Sequence, residues 1–463
     1  MVIDLPLFMV LSLMKKSITM KTKLFISAFF LINFMLSYGQ EWTRTYLSQA
    51  TIRMGGAVLG NEAFFAGGSI LAGWNWEDTD LVEIYDIEND SWRFDYLSQA
   101  RSIVAPASCG DFVFFAGGLK SSNWQVSSRV DIFNSQYYWK ETELSIPRFQ
   151  IAAVSNDSLV LFGGGSGSDI YDVVDVYNIH TEQWSVEHLS IPRCAMGGAV
   201  IGDLAIFAGG ETQSGMSNRV DIYNFNTRTW RIDSISEARK FIGAAVAGNK
   251  VIFAGGSVAN GVSSNRVDIY DYETDTWDTA SISVARAFYH QSATVDGKAY
   301  FVGSGTFDNG WTNNTDTIDI YDPVTNAWSV ITLPNPVTEN AVVAIDYSLI
   351  SAGGWWENNP PYGIALDYVE IYTVIDGVAS GKSNEKIIKV YPNPSNGNFR
   401  LDLPNENSHK PLHVTIYNLQ GQEVFTRNLE MGNLEINVGL PAGVYVLKVI
   451  SDKKTYTDLI SIQ

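Results

Sequence analysis

Cysteine is scarce: Cys109 and Cys194 are the only two in 463 residues. That excludes a disulfide-stapled scaffold, which needs several bridges to replace a core. The three histidines of the repeat region, His180, His188 and His290, show no His-x-x-x-His spacing and the chain has no Cys-x-x-Cys, so that region offers no zinc or copper ligand set. Charged residues make up only 17% of the chain, against about 25% in a typical domain, which argues against a coiled coil or a disordered chain. Basic tracts are also missing. Net charge is −19, and residues 40–388 alone carry −22, a field that repels phosphate backbones, so no nucleic-acid partner is expected. Beyond residue 36 no segment approaches 18 uninterrupted apolar residues, so no transmembrane segment is expected in the mature chain. Neither a Gly-x-Ser-x-Gly elbow nor a calcium loop occurs.

Glycine and aromatics are plentiful instead, with 39 Gly, 13 Trp and 22 Tyr, a composition suited to short strands and many turns. Lys21 and Lys23 precede an apolar run from Leu24 to Leu36 and then Ser37-Tyr38-Gly39. This reads as a secretory signal over 1–39, with Met20 a more natural start than Met1.

Three markers then recur about every 47 residues. The first is an apolar run ending in paired glycines, as in Phe64-Phe65-Ala66-Gly67-Gly68 and Phe207-Ala208-Gly209-Gly210, degenerate at Gly303-Ser304-Gly305. The second is an acid-apolar-aromatic step, from Glu83-Ile84-Tyr85 through Asp221-Ile222-Tyr223 to Glu370-Ile371-Tyr372. The third is a tryptophan six or seven residues later: Trp92, Trp139, Trp184, Trp230, Trp277 and Trp328. Seven aromatic steps meet six such tryptophans, and Trp42, ahead of the first repeat, supplies the seventh. Tight turns precede the glycine-ended strands, Gly60-Asn61 and Gly202-Asp203 among them, with Asp346-Tyr347 a poor fit. Each unit reads as four strands with two apolar faces to cover, which stacking around an axis would achieve.

From Trp42 to Tyr372 this pattern resembles the kelch repeat. The resemblance implies an all-β, seven-bladed propeller over 40–374, with the N-terminal strand completing the last blade and leaving no free edge. After a Gly/Ser/Asn-containing linker at 375–388 come Tyr391-Pro392-Asn393-Pro394, Gly421-Gln422 and Gly443-Val444-Tyr445. These turns and alternating apolar residues describe a small antiparallel sandwich. It looks like the type A C-terminal sorting domain of the type IX secretion system of the Bacteroidetes. That resemblance implies handling of residues 389–463 by the type IX machinery and a destination on the cell surface or outside the cell.

Kelch propellers include copper oxidases that need two histidine ligands and a Cys–Tyr crosslink. Here His180, His188 and His290 are scattered, so that chemistry is rejected and no metal or cofactor is expected. Two sets of residues stand out as candidate ligand sites, and no catalytic residue is assigned. Arg101, Arg148, Arg193, Arg239 and Arg286 recur about sixteen residues before the glycine pairs of blades 2 to 6, where blade 1 has Thr51 and blade 7 has no arginine. By kelch geometry they would stand near one mouth of the channel. There they would hold an anion, as in the kelch sialic-acid mutarotases, or they pair with the repeated acids Asp131, Asp175, Asp221, Asp268 and Asp319 as architecture. The second set breaks the repeat: Trp74, Trp76, Trp124, Trp311, Trp355 and Trp356, in the second-to-third-strand connections of blades 1, 2, 6 and 7. Either they form a crescent that binds an extracellular protein or glycan, or they cap their own loops. The expected function is that of a secreted, non-catalytic binding propeller, with an enzyme acting on an acidic sugar as the alternative.

Overall fold

The computed structural model describes residues 40–374 and 389–462, apart from 74, 122, 137, 288–290, 309–310, 360–361, 392, 394, 403–411, 419–422, 430–433 and 452–453. The expected signal segment, the linker, Trp74 and His290 lie outside the described residues. Gln40–Val374 forms one compact unit, and the C-terminal residues belong to a second.

Local backbone chemistry sets the period of the first unit. At the hairpins that enter each second strand, Gly60, Gly110, Gly202, Gly248, Asp296 and Asp346 take φ between 49° and 56°. Glycine and aspartate tolerate that region best, so the poor turn at Asp346-Tyr347 forms with the aspartate itself in the left-handed region. Blade 3 differs: the Asn156 side chain closes its turn by accepting from the Ser158 and Leu159 N–H groups.

Seven four-stranded antiparallel sheets result. In blade 1 the strands run Gly55–Leu59, Glu62–Ala66, Leu81–Asp86 and Ser91–Tyr96, from innermost to outermost. The innermost strands of blades 2 to 7 are Ala105–Cys109, Ala152–Ser155, Gly197–Ile201, Gly243–Ala247, Gln291–Val295 and Ala341–Ile345. Each touches the next, and the seventh touches the first. Gln40–Tyr46 is the outer strand of the seventh sheet, pairing antiparallel with Tyr368–Val374 so that Trp42 lies opposite Tyr372. Their rings stand 5.1 Å apart. The same pair recurs in other blades, at 4.9 Å for Tyr85–Trp92, Tyr177–Trp184 and Tyr223–Trp230.

Indole N–H groups stitch neighbouring blades. Trp92 donates to Thr45, Trp184 to Thr142, Trp230 to Glu187 and Trp277 to Asp233. A second stitch runs through the glycine pairs. The N–H groups of Gly68, Gly118, Gly165, Gly210 and Gly256 donate to the carbonyls of Arg101, Arg148, Arg193, Arg239 and Arg286 of the following blade. Ser304 does the same to Val337, and Gly354 to Thr51, which carries the series across the closure. Close approach is what makes glycine necessary. A Cβ on Gly117, whose φ is +61°, would fall 2.4 Å from the Arg148 carbonyl oxygen. Ser304 holds the corresponding bond at φ 94°, so the degenerate blade 6 motif keeps the stitch on a less favourable backbone.

Taken by itself, the C-terminal unit pairs a three-stranded sheet with a four-stranded one. Leu401, Val414, Leu447 and Ile460, drawn from both sheets, share one buried core. The opening motif is tied to the last strand, where Asn393 Oδ1 accepts from the Ser461 N–H at 2.8 Å.

Replacing Gly117 by Ala is expected to lower stability by roughly 2 kcal/mol or more. Nothing lies within 4 Å of a Cβ at Gly60, so Gly60→Ala should cost less, about 1–2 kcal/mol from its backbone angle alone. Urea midpoints at unchanged slope would measure both; equal losses would show that the approach to the next blade's carbonyl contributes nothing.

Candidate functional site

Two places follow from the sequence: the arginine positions and the tryptophan-bearing connections. The arginines belong to the interior. All five are 0% exposed, and each pairs with the aspartate of its own blade's third strand: Asp131, Asp175, Asp221, Asp268 and Asp319. Arg101 shows the full arrangement. Its Nη2 lies 2.6 Å from Asp131 Oδ2 and 3.0 Å from the Phe115 carbonyl, its Nε donates to Gly117, and its Nη1 donates to Gln99. The aspartate's other oxygen accepts the backbone N–H of Ser98. Burial pushes these guanidinium groups below their ordinary range, Arg193 down to about 10, and the paired carboxylate opposes that shift, so all stay charged at neutral pH. Of the two arrangements open to these arginines, an anion site at the channel mouth or pairing with the repeated acids, the geometry has the second: each guanidinium is buried and ion-paired within its own blade, and none is exposed to a ligand.

The channel explains the same outcome from the other side. Its opening of about 350 Å³ is lined by Gly56, Pro106, Ser108, Ser155, Gly198 and Val200, among other small residues of the inner strands. Hydroxyls bridge adjacent inner strands, with Ser155 donating to the Ser108 carbonyl and Ser292 to Ala244. None of the lining residues is charged.

Blades 1 and 7 lack the arginine, and both carry glutamate where the other five carry aspartate. Glu370 reaches outward to Arg44 of the closing strand and accepts from Asn335. Glu83, 2% exposed, receives the Ser48 N–H at 2.7 Å in place of a cation. Burial pushes its carboxyl above the ordinary range.

The second candidate site lies at the end where the blade-to-blade crossings run. Short hairpins fill several of the connections there: Ser69–Ala72 with Asn75–Asp78 in blade 1, Leu119–Lys120 with Gln125–Val126 in blade 2, Gly305–Asp308 with Trp311–Asn314 in blade 6, and Trp355–Asn359 with Tyr362–Ala365 in blade 7. They touch in sequence around the ring. Asn314 donates to the Trp355 carbonyl at 2.5 Å, the Trp355 and Trp76 rings meet edge-on at 5.6 Å, and the Ser121 N–H donates to Asp78 at 2.5 Å.

The six tryptophans divide within this array. Trp356 packs down against the core shared by blades 6 and 7, and Trp355 lies over Gly363, where a Cβ would sit 2.2 Å from the indole. Trp76 is half-buried against Trp355. Trp124 alone among the described side chains of the set projects freely, at 77% exposure. The Trp311 backbone is part of the blade 6 hairpin, and its side chain lies outside the described residues. Leu71 and Ile364, 48% and 52% exposed, were not singled out by sequence; their alternation within the blade 1 and blade 7 hairpins was the available signal.

His180 and His188 sit exposed, the former in the blade 3 turn and the latter at the end of its outer strand, 3.4 Å from Asp172. Cys109 and Cys194 are buried and free, with thiols pushed up to about 12 by burial. Among the described residues no cluster of histidine, cysteine and carboxylate could hold a metal ion.

Comparison with known families agrees with this architecture. Residues 148–354 match the KLHDC2/KLHL20/DRC7 Kelch-repeats domain, and residues 389–463 match the secretion system C-terminal sorting domain. The chain is therefore all-β and carries a kelch-repeat domain, matched over residues 148–354. More particularly, it carries a C-terminal sorting domain of the type IX system, which directs export to the cell surface or the extracellular space. No curated protein matches. A solved structure, "Structure of YjhT", is 14% identical over 62% of this chain and 99% of its own, with a TM-score of 0.49.

Asp131→Ala is expected to destabilise the fold by about 3–5 kcal/mol, because it strands the Arg101 charge in the interior; chemical denaturation measures it. Glu83→Gln should act in the opposite sense. A carboxyl whose folded pKa is raised favours the fold below its unfolded value and loses that contribution as pH rises through the folded value. The amide should therefore raise the melting temperature at pH 7 to 8 by a few degrees, with the gain shrinking toward pH 4. A gain that did not vary with pH would sink this account of Glu83.

Proposed function

We propose that this chain is a secreted or surface-exposed kelch propeller that acts by binding, without catalysis, an extracellular protein or glycan. The sorting domain supports the destination. The single observation that carries the binding role is the linked array of four hairpins on blades 6, 7, 1 and 2. It spends Trp76, Trp355 and Trp356 on holding its own shape and leaves Trp124, Leu71 and Ile364 outward. Apolar side chains held outward on mutually braced loops are what a recognition surface requires, since bracing lowers the ordering cost of association.

The alternative, an enzyme acting on an acidic sugar, draws nothing from the arginines, which are buried and ion-paired within their own blades. Anomer exchange of sialic acid followed by NMR is accordingly expected to proceed at its uncatalysed rate with the protein present.

A glycan array and a panel of purified extracellular proteins, probed with the full chain and with Trp76→Ala/Trp124→Ala, test the binding role. A partner retained by the parent and weakened about tenfold in the folded variant is the expected result. Equal retention by both would place binding elsewhere.

A further inference from the structure

We infer that the connection face of blades 6, 7, 1 and 2 docks a basic protein segment, one that presents lysine or arginine beside apolar side chains. This rests on the binding role proposed above and adds the chemistry of the partner.

Three observations converge. The seven second-to-third-strand connections, residues 69–80, 119–128, 166–172, 211–218, 257–264, 305–316 and 355–367, carry ten carboxylates against a single lysine, Lys120. The crossings on the same face do not offset this. Arg53 is engaged with Glu339 of a crossing, Lys240 offsets only Glu211 of the ten, and the five interior arginines are matched by five aspartates of the third strands. A like-charged anionic ligand is therefore repelled from this end of the ring and a cationic one attracted.

The second observation is apolar. Leu71, Trp124 and Ile364 are all about half exposed or more, on connections that touch through Trp76–Trp355 and Ser121–Asp78. One indole among aliphatic side chains, with a carboxylate rim, matches the anchor-and-rim anatomy of protein recognition. A sugar platform would need a ring face set in a polar groove, and the other described indoles here are turned to packing instead.

The third is strain. Trp124 sits at φ 57°, at the tip of its hairpin, where the corresponding tips of blades 1, 4 and 5 place Gly73, Gly215 and Asn260-Gly261. A bulky residue in the left-handed region costs about 1–2 kcal/mol, and an indole so exposed returns little by burial. Folding therefore disfavours tryptophan at this position on both counts, which leaves recognition as its reason.

The strain also supplies the test. Trp124→Gly relieves the backbone and should keep or raise the melting temperature. Fluorescence anisotropy of the full chain would be measured with a lysine–leucine peptide, its glutamate–leucine counterpart and, as a neutral control, labelled cellohexaose. The lysine peptide is expected to bind, to weaken with added salt, and to weaken at least about tenfold in Trp124→Gly and in Leu71→Ser/Ile364→Ser, neither of which alters charge. Equal binding of the two peptides, no binding of the lysine peptide, or equal affinity in parent and variants would each overturn the inference. Trp124-dependent binding of cellohexaose without the lysine peptide would overturn it while leaving the binding role intact.

Discussion

The ring depends on one repeated backbone contact. At the end of each second strand, an N–H in the left-handed region donates to the carbonyl that opens the next blade, seven times over and across the chain closure from Gly354 to Thr51. A Cβ at the first glycine of a pair would enter that carbonyl, and glycine alone reaches the required φ without strain. The paired glycines are therefore an inter-blade joint. Strand register, the tryptophan stitches and the spacing of the connections all follow once neighbouring blades are held at that distance.

The buried arginines complete the joint from the side-chain direction. Each residue gives its carbonyl to the preceding blade and its guanidinium to its own, so one position couples two sheets. Such a pair is costly to desolvate and stabilises chiefly by leaving no charge unmatched. The two blades without it flank the closure, and both replace aspartate by the longer glutamate. In blade 7 the extra methylene lets Glu370 meet Arg44 on the strand supplied by the N-terminus. Blade 1 has no such cation, and Glu83 is held instead by hydrogen bonds from Ser48 and Gln49. The seam is thus built on a different charge pattern from the rest of the ring.

That division of labour bears on function. Because the arginines are consumed by architecture and the channel wall is uncharged, the chemistry that distinguishes one side of this near-symmetric ring from the other lies in the connections. There the tryptophans do two jobs. Trp355 and Trp76 meet across two hairpins, Trp356 anchors the blade 7 hairpin on the core beneath, and Trp124 stands clear of them. Bracing and presentation are complementary: a loop that orders itself before contact gives up less entropy on binding.

The repeat period, the count of seven and the partner for Trp42 were legible in the chain because each depends on local backbone demands: positive φ at turns, a bare Cα beside a carbonyl, and an aromatic every 47 or so residues. The sorting tail was legible for the same reason, through its short turn motifs. The fate of the arginines and tryptophans was not. Spacing says that five arginines share one radius and height, yet whether a guanidinium points to solvent or inward depends on where the third-strand aspartate sits, a residue about 30 positions away. Likewise, indoles in long connections read alike until neighbouring hairpins meet. Only contacts between blades 6, 7, 1 and 2, distant along the chain and adjacent in the closed ring, decide which ring is covered and which is left to a partner.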